Sequence, residues 1–265
     1  MGLPKDALVE RAEYISAAPA TLFKASEGDL LRFFDFHFKA IDATSSELIA
    51  IAHQIRYQVY CVEHAFECEA DHPDGLEHDE FDDHAAHGLL FDRASDSPVG
   101  TVRLILPLHD RIDESFAIQR ICDHPALKGS SILPLHSTAE VSRFSISKHF
   151  RRRRTDILQG DGAVGTAHRC GPLLRLGLIQ ALIRMSVQRG VTHWCAVMEP
   201  SLLRILAGMA IRFEPLGPPI AYHGLRQPCF CHVGKMLRDV EKERPAFWNV
   251  LTEGGVLYER LLKII

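Results

Sequence analysis

The sequence predicts an α/β domain in which helices flank a mixed central sheet. After residue 139, apolar segments typical of strands alternate with segments of helical periodicity. Before it, strand-like segments at 88–92 and 99–106 are joined by a turn and predict a hairpin. No linker rich in Pro, Gly or Ser divides the 265 residues. The expected organisation is a single domain with additions at both ends: an extension over 1–31, a main domain over 32–239 and a helical tail over 240–265.

Composition excludes several classes of protein. A formal charge of −4 argues against a general nucleic-acid binder, since phosphate binding needs an excess of Lys and Arg on one face. No apolar run reaches membrane-spanning length and the start of the chain does not resemble a signal peptide, so we expect a cytoplasmic location without integral membrane association. Seven irregularly spaced cysteines fit reduced thiols better than a disulfide framework.

Two elements are predicted at the start of the main domain. Alternation of phenylalanines with polar residues from Phe33 to Phe38 predicts a first strand that continues to Ile41. The sequence Thr-Ser-Ser-Glu at 44–47 is typical of a capping box, which opens a helix. One apolar stripe follows on that helix, formed by Leu48, Ala52, Ile55, Val59 and Val62. Arg56 lies on the same helix, where periodicity alone leaves an ordinary surface arginine as the alternative to a functional one.

Residues 67–87 form an acidic, histidine-rich loop that has three interpretations. Its side chains include the possible metal ligands His78, Asp79, Asp82, His84 and His87. Their spacing matches no zinc or calcium template, because an EF-hand needs a glutamate that closes a regular twelve-residue loop. We therefore predict no metal site. The loop is either solvated, or its carboxylates bind a cationic substrate group such as an ammonium.

One arginine is predicted to lie inside the sheet. Arg103 stands among Val102, Leu104 and Ile105 in a nearly continuous apolar strand, where an unpaired charge is costly to bury. It therefore needs a carboxylate or a ligand as partner, and an aspartate of the 67–87 loop could supply one.

The segment Ala139 to Ser147 carries the strongest indication of a functional site. Val141 and its apolar neighbours give it strand character, yet Glu140 and Arg143 lie in it, and their burial is costly unless they are paired or used. Side chains three residues apart face opposite sides of a regular strand. Both can serve one pocket only if a β-bulge resets the register between them. The residues alone leave open a site or a structural ion pair at the rim of the sheet.

The remaining elements complete the predicted sheet. Residues 107–138 are expected to be irregular, with a short helix near 116–121, and the glycine-containing segment 155–169 is expected to be a loop. The clearest helix starts at Pro172 and ends before Gly190, with Leu174, Leu178, Leu182 and Met185 buried. The later predicted elements are a strand over 192–198, a helix over 202–209, and strands over 211–214 and 229–233.

Several of these residues form an ordered set of motifs. They are Arg56, Tyr60 and Phe66, then Glu77-His-Asp79-Glu-Phe-Asp82, Gly100-Thr-Val-Arg103-Leu and Glu140-Val-Ser-Arg143-Phe. This set resembles the signature of the acyl-homoserine-lactone autoinducer synthases and related N-acyl amino acid synthases, which are GNAT N-acyltransferases. The resemblance implies a GNAT-like acyl-CoA N-acyltransferase fold. It also implies substrate-binding roles for Arg56, Phe66, Asp79, Asp82, Arg103 and Phe144.

A closer resemblance covers most of the chain. It rests on Ser142-Arg-Phe, the arginine run 151–154, His193-Trp194, Met198-Glu-Pro200, Gly217-Pro-Pro219, Tyr222-His-Gly and Arg226-Gln-Pro228. These motifs are similar to those of the PEP-CTERM/exosortase system-associated acyltransferases. The chain departs from the autoinducer synthases at Tyr60 and Phe66, where those usually carry Phe and Trp, and in a longer 67–77 loop and a larger C-terminal region. The departures concern homoserine-lactone chemistry more than acyl transfer.

The resemblance and the chemistry of amide formation together imply a mechanism. Attack of an amine on a thioester needs a base for the amine proton and hydrogen-bond donors for the oxyanion. Glu140 would accept the proton directly or through water, with Ser142 and Arg143 as further catalytic residues. Backbone N–H groups at a bulge would hold the oxyanion. The mechanism requires no covalent acyl-enzyme and no cofactor, only an acyl carrier protein or CoA thioester as cosubstrate.

The expected partners are an acyl carrier protein and a small-molecule amine acceptor. Asp79 and Asp82 would attract the acceptor ammonium or brace Arg103 and Arg143. The pantetheine arm would enter between the strands at 139–147 and 192–198. Because carrier proteins are acidic, one would bind the run Arg151, Arg152, Arg153 and Arg154, although composition alone favours a solvated basic loop.

Three functions follow, in order of preference. The first is transfer of a fatty acyl chain to the amine of an amino acid or a related small molecule. The second is synthesis of an acyl-homoserine lactone from S-adenosylmethionine. The third is a non-catalytic GNAT-like module that binds a carrier protein.

Overall fold

A computed structural model of the chain describes residues 27–148, 164–222 and 224–265. Residues 1–26 of the predicted N-terminal extension and the arginine run Arg151, Arg152, Arg153 and Arg154 lie outside the described residues. In the described residues a mixed sheet is flanked by helices, as the sequence predicts. No described helix is both long and apolar enough to cross a membrane.

The sheet opens between its two parallel strands. In the described chain the strands are β1 Phe38–Ala43, β2 Ala85–Asp92, β3 Ser97–Ile105, β4 Thr138–Ile146, β5 His193–Met198, β6 Glu214–Pro215, β7 Ile220–Ala221 and β8 Leu225–His232. Their order is β1-β2-β3-β4-β5-β8-β6, and β7 also pairs with β8. Only β4 and β5 pair in parallel, from Thr138–His193 to Val141–Ala196. Beyond this point β4 pairs only with β3 among the described strands, so β4 and β5 separate in the middle of the sheet.

Helices cover both faces of this sheet. They are α1 Glu27–His37, α2 Ser46–Tyr57, α3 Ile118–Ile121, α4 Val164–Gln188, α5 Pro200–Gly208, α6 Val233–Glu243, α7 Pro245–Thr252 and α8 Val256–Leu261. A π-helical turn, Gln58–Glu63, continues α2. Short 3-10 turns lie at Glu69–Asp71, Glu80–His84, Ile112–Glu114, Pro125–Lys128 and Leu135–Ser137.

The main hydrophobic core lies between α4 and one face of the sheet. The predicted stripe on α4, Leu174, Leu178, Leu182 and Met185, is buried there against Val102, Leu104, Ala139 and Trp194. The C-terminal helices belong to the same core, since Leu251 and Leu257 lie in it and Gln180 Nε2 donates a hydrogen bond to Val250 O at 2.6 Å. The predicted helical tail is therefore packed against the main domain.

The opposite face of the sheet is covered by two smaller groups of residues. Helix α2 and the π-helical turn that continues it pack Ala52, Ile55 and Val59 against Ala43 of β1 and Leu89 of β2. The segment 107–137, with Phe116 and Ile118, packs over β3 and β5. Helix α2 also contacts β3 and β4, which carry the charged residues of the predicted site.

Two predicted element bounds are wrong near the start of the described chain. Residues 33–37 lie in α1 and not in a strand, since Leu30 and Phe34, four residues apart, are buried while Phe36 is exposed. The predicted capping box does not form, because Ser45 caps α2 and accepts a hydrogen bond from Leu48 N at 3.3 Å. In both cases the local sequence pattern fits two alternatives, and packing against the sheet selects the alternative that was not predicted.

Later bounds also differ from the prediction. Helix α4 begins at Val164, so Pro172 lies within it and the end of the predicted 155–169 loop is helical. The proline φ is compatible with a helix, and burial of the α4 stripe outweighs the lost backbone hydrogen bond. The predicted strand over 211–214 is reduced to Glu214–Pro215. The other predicted strands and helices are confirmed within a few residues.

Candidate active site

A β-bulge interrupts β4 immediately after Ser142. Thr101 of β3 pairs with Ser145 and Arg103 pairs with Ser142, so two steps along β3 match three along β4. Arg143 occupies the bulge with φ of +51°, in the left-handed region that side chains rarely adopt. The bulge that the sequence requires between Glu140 and Arg143 is thus present.

The bulge brings the charged side chains to one face of the sheet. Glu140 and Ser142 face the same side, and Arg103 Nε donates a hydrogen bond to Ser142 Oγ at 2.9 Å. Arg143 reaches the same acidic loop as Arg103 does. Phe144, predicted to bind substrate, is partly buried and packs against the main core.

Arg56 is fully buried and fastens the acidic loop to α2. Its Nε donates a hydrogen bond to Glu77 Oε2, and its two terminal nitrogens donate to Asp82 at 2.7 and 3.0 Å. A paired, bidentate geometry of this kind makes the burial of a guanidinium tolerable. Arg56 is therefore not the surface arginine that the helical pattern allowed.

Two further arginines complete a six-membered ion cluster with the same loop. Arg103 Nη2 donates to Asp79 Oδ2 at 3.0 Å and its Nη1 to Asp82 Oδ1 at 2.9 Å. Arg143 Nη2 donates to Glu77 Oε1 at 2.8 Å and to Asp79 Oδ2 at 3.1 Å. The three arginines and three carboxylates balance in charge. Loop aspartates are thus the partners of Arg103, as predicted.

Three carboxylates of the loop are buried or half-buried, while residues 68–71 and 73–74 are exposed, so the solvated-loop interpretation holds for only part of the loop. Asp79 and Asp82 brace arginines in this structure, the second of their two expected roles. Arg143 pairs with Glu77 and Asp79 and not with Glu140, so the alternative of a Glu140–Arg143 ion pair at the rim is wrong. The sequence predicts no site role for Glu77 beyond its place in a motif. At 1% exposure it is nevertheless the most buried of the three carboxylates.

The arginines keep these carboxylates ionised. Burial alone would raise the pKa of Glu77, but hydrogen bonds from Arg143 and Arg56 outweigh it and lower that pKa to about 2. The pKa values of Asp79 and Asp82 are also lowered, because hydrogen bonds from Arg103 and Arg56 outweigh their desolvation. The cluster therefore remains charged at neutral pH.

One group in the described chain has the spacing of a metal site. His53 Nε2 and His87 Nε2 lie 3.9 and 3.6 Å from Asp82 Oδ1. Burial lowers the pKa of His87 to about 3, so its ring is neutral and able to bind a metal. However, Asp82 Oδ1 already accepts hydrogen bonds from Arg56 and Arg103, whose charges would repel a divalent cation. We therefore assign no metal here.

Glu140 is buried beneath the 107–137 segment. The residue is 4% exposed, and its Oε2 accepts a hydrogen bond from Ile118 N at 2.9 Å. Its partners on the two neighbouring strands, Ile105 and Cys195, are fully buried. Desolvation raises the pKa of Glu140 to about 7, although the Ile118 N–H and the charge of Arg103 oppose the rise.

Access to Glu140 is restricted in this conformation. A cavity of about 500 Å³ lies beside the covering segment, lined among others by Phe81, Leu108 and Gln119, and Glu140 does not line it. Burial also raises the pKa of the Cys195 thiol well above its ordinary value, so this thiol is not a nucleophile at neutral pH. The carboxyl is therefore poised to titrate near neutrality but shielded from bulk solvent.

An aromatic pair extends the site beyond the ion cluster. The Arg143 guanidinium lies 4.9 Å from the centre of the Tyr60 ring, and the Tyr60 and Phe66 rings are 6.0 Å apart. On the far side, the Arg226 guanidinium lies 5.8 Å from the Phe66 ring. Phe66 thus lies near the predicted site, together with an arginine that the sequence analysis did not select as a site residue. The signal available for Arg226 was its motif, Arg226-Gln-Pro228.

Removal of one carboxylate from the cluster is expected to destabilise the fold. Glu77→Gln leaves two buried guanidinium groups short of charge, and we expect a loss of about 3–5 kcal/mol in unfolding free energy at pH 7. Because the folded pKa of Glu77 is about 2, its contribution is present above pH 4.5 and is lost as the pH falls towards 2. Urea unfolding at pH 7, 5 and 3 measures both effects.

A matched control for this variant is Glu80→Gln, which removes an exposed partner of Arg120. We expect no measurable change in stability from it. Equal stability of Glu77→Gln and the wild type would show that the cluster does not hold the loop.

Comparisons with known proteins agree with this fold. Residues 55–159 match the Acetyltransferase (GNAT) domain family, a range that contains the ion cluster and the bulge. No functionally curated protein matches the chain. Among solved structures, TofI in a ternary complex with an inhibitor and MTA is 17% identical, with a TM-score of 0.55 over 80% of this chain and 99% of that chain.

Two further solved structures are similar. The AHL synthase LasI is 16% identical, with a TM-score of 0.50 over 73% of this chain and 88% of its own. BjaI, a CoA-dependent acyl-homoserine lactone synthase solved with SAM and isopentyl-CoA, is 20% identical, with a TM-score of 0.52 over 82% and 88%. The predicted GNAT-like α/β fold is confirmed, and the chain is similar in fold to TofI and to the acyl-homoserine lactone synthases LasI and BjaI.

Proposed function

We propose that the chain is an N-acyltransferase that moves a fatty acyl chain from a carrier-protein or CoA thioester to the amine of an amino acid or a related small molecule. The observation that carries this proposal is the separation of β4 from β5 beyond the Val141–Ala196 pair, directly beside the bulge. Parted strand edges can bind an extended chain through main-chain hydrogen bonds, as an added strand would. The two amides of pantetheine fit such an edge.

The bulge supports the chemical step. The amine nitrogen attacks the thioester carbon, negative charge forms on the carbonyl oxygen, and collapse of this intermediate releases the thiolate. A bulge leaves backbone N–H groups without ladder partners, and such groups can stabilise the oxyanion. The ion cluster contributes by fixing Arg143, and hence the bulge, in a single conformation.

Glu140 supplies the base in this proposal. A carboxyl with a pKa of about 7 is matched to proton removal near neutral pH. Because its carboxylate is enclosed and bonded to Ile118 N, the proton would pass from the acceptor through water and not by direct contact. The released thiolate takes up a proton from solvent, so the net products are an amide and a thiol.

The carrier protein and the acceptor remain parts of the proposal. The arginine run 151–154 would bind an acidic carrier protein, as the sequence predicts. Because the similar structure BjaI is CoA-dependent, a CoA thioester is the alternative acyl donor. A role alongside the PEP-CTERM/exosortase system is likewise a prediction from the motifs alone.

Two other functions have specific support. The fold shared with LasI and BjaI favours lactone synthesis from S-adenosylmethionine as a second candidate. The burial of Glu140 favours a non-catalytic carrier-protein-binding module as a third.

Thiol release separates the three candidates. We expect release of free thiol from a fatty acyl-CoA or acyl carrier protein to depend on an added amine acceptor, since water attacks a thioester much more slowly than an amine does. Release of methylthioadenosine with the thiol, in the presence of S-adenosylmethionine, would favour lactone synthesis. Carrier-protein binding without turnover across a broad set of amines would instead identify a binding module.

Glu140→Gln should slow acyl transfer by at least ~100-fold if the carboxylate is the general base. In the wild type, kcat/KM should rise with pH through about 7, because only the ionised form accepts a proton.

Stability provides an independent readout of the Glu140 carboxyl. Its raised pKa means that the folded state loses stability as the pH rises from 4.5 through 7, so the variant should have the higher Tm above pH 7 and not below pH 4.5.

Glu241→Gln, an exposed change on α6, is the control for both measurements. An unchanged rate of acyl transfer in Glu140→Gln would remove this residue from the mechanism. The acyltransferase proposal itself would then be judged by whether thiol release depends on an amine.

A further inference from the structure

The open end of the β4–β5 cleft is bordered by an arginine on β8. Met198, the last residue of β5, pairs with Gln227, so Arg226 lies one residue past the end of β5. Its guanidinium faces Phe66 at 5.8 Å, and Phe66 in turn lies 6.0 Å from Tyr60. Because Tyr60 contacts the bulge arginine, this row of side chains runs from β4 to β8 over the end of β5.

The arginines of the ion cluster are already paired with loop carboxylates. Arg56, Arg103 and Arg143 each donate to two buried or half-buried loop carboxylates. Replacing either partner with a substrate carboxylate would leave a loop carboxylate without its cation, at a cost of several kcal/mol. An anion is therefore more costly to bind at these three arginines than at an arginine with an exposed partner.

Arg226 has a weaker ion-pair contact than the three arginines of the ion cluster have. Its Nη2 lies 3.3 Å from Glu199 Oε1, and the Glu199 side chain is 48% exposed and also bonded to Ser201 Oγ. Exposed rim pairs of this kind contribute little, so exchange of Glu199 for another carboxylate costs little. The Arg226 side chain is itself only 14% exposed, and a partly desolvated guanidinium binds a carboxylate more strongly than an exposed one does.

We propose that Arg226 and Phe66 form a carboxylate-binding subsite at the open end of the cleft, which selects α-amino acids over simple amines as acceptors. The acceptor carboxylate pairs with Arg226, displacing Glu199. The amine is directed towards the bulge. An apolar acceptor side chain packs against the ring edges of Phe66 and Tyr60, because His64 stacks on Phe66 and the arginines lie over the ring faces. This inference rests on the proposed acyl transfer and names the class of acceptor.

The test compares acceptors that differ only in the carboxylate. Thiol release from a long-chain acyl-CoA is measured with phenylalanine against phenethylamine and with leucine against 3-methylbutylamine. Arg226→Met should lower kcat/KM for the amino acids about 10–100-fold, mainly by raising KM. This factor corresponds to the loss of one charge-assisted hydrogen-bonded pair. The same variant should change kcat/KM for the amines by less than about twofold, and Arg226→Lys should retain part of the preference.

Two controls separate binding from structure. Glu199→Gln removes the rim partner of Arg226 and should leave amino-acid turnover unchanged or improved. If Arg226 served only to hold Glu199, both variants would have the same defect, and the proposal would be overturned. Arg212→Met removes an exposed arginine paired with Glu243 elsewhere and should have no effect. An equal fall for amines and amino acids in Arg226→Met, or no fall, would also overturn it.

Direct binding distinguishes failure of this inference from failure of acyl transfer itself. If no acceptor supports thiol release, acyl transfer is rejected, and the subsite is judged by calorimetry with N-decanoyl-phenylalanine and N-decanoyl-phenethylamine. Tighter binding of the acid to the wild type, lost in Arg226→Met, supports the subsite. Equal affinity for the two compounds contradicts it.

Discussion

The site depends on the ion pairs that hold Arg143 in a left-handed backbone conformation. This conformation costs a non-glycine residue about 1–3 kcal/mol, and it persists only where surrounding contacts impose it. Glu77 and Asp79 impose it by binding the guanidinium from the loop side of the sheet. Without the bulge, β4 would pair regularly with β3, and the side chains of Glu140 and Arg143 would point to opposite faces. The bulge, the shared face and the position of the cleft therefore follow from one set of charge contacts.

The same contacts explain why a buried sheet tolerates so much charge. Arg56 from α2, Arg103 from β3 and Arg143 from β4 meet a loop whose carboxylates are ordered by their own turn. In that turn, Asp79 accepts from Phe81 N at 2.9 Å and Asp82 accepts from Asp79 N at 2.8 Å. The turn thus orders Asp79 and Asp82 through contacts that do not involve the arginines. Glu140 lies apart from this neutral cluster under an apolar covering, which is why its pKa rises while those of the loop carboxylates fall.

The sequence predicts most of the regular elements and the identity of the charged residues, but not their pairing. An apolar stripe is sufficient to predict the main part of α4, and nearly continuous apolar runs are sufficient for β3 and β5, whose residues are buried on both faces. It fails at residues 33–38, where the phenylalanines fit strand and helix equally and only the burial of Phe34 decides. Arg56 reaches Glu77 and Asp82 across 21 and 26 residues, and no local pattern carries such a contact. The burial of Glu140 could not be predicted from the sequence either, because the segment that covers it has little regular structure.

The cleft between β4 and β5 is the central claim, and a structure with a non-hydrolysable acyl-pantetheine thioether tests it most directly. The analogue should lie between β4 and β5, with its carbonyl oxygen about 3 Å from a backbone N–H of residues 142–144. An analogue bound elsewhere, with β4 and β5 separated but empty, would contradict acyl transfer at this bulge.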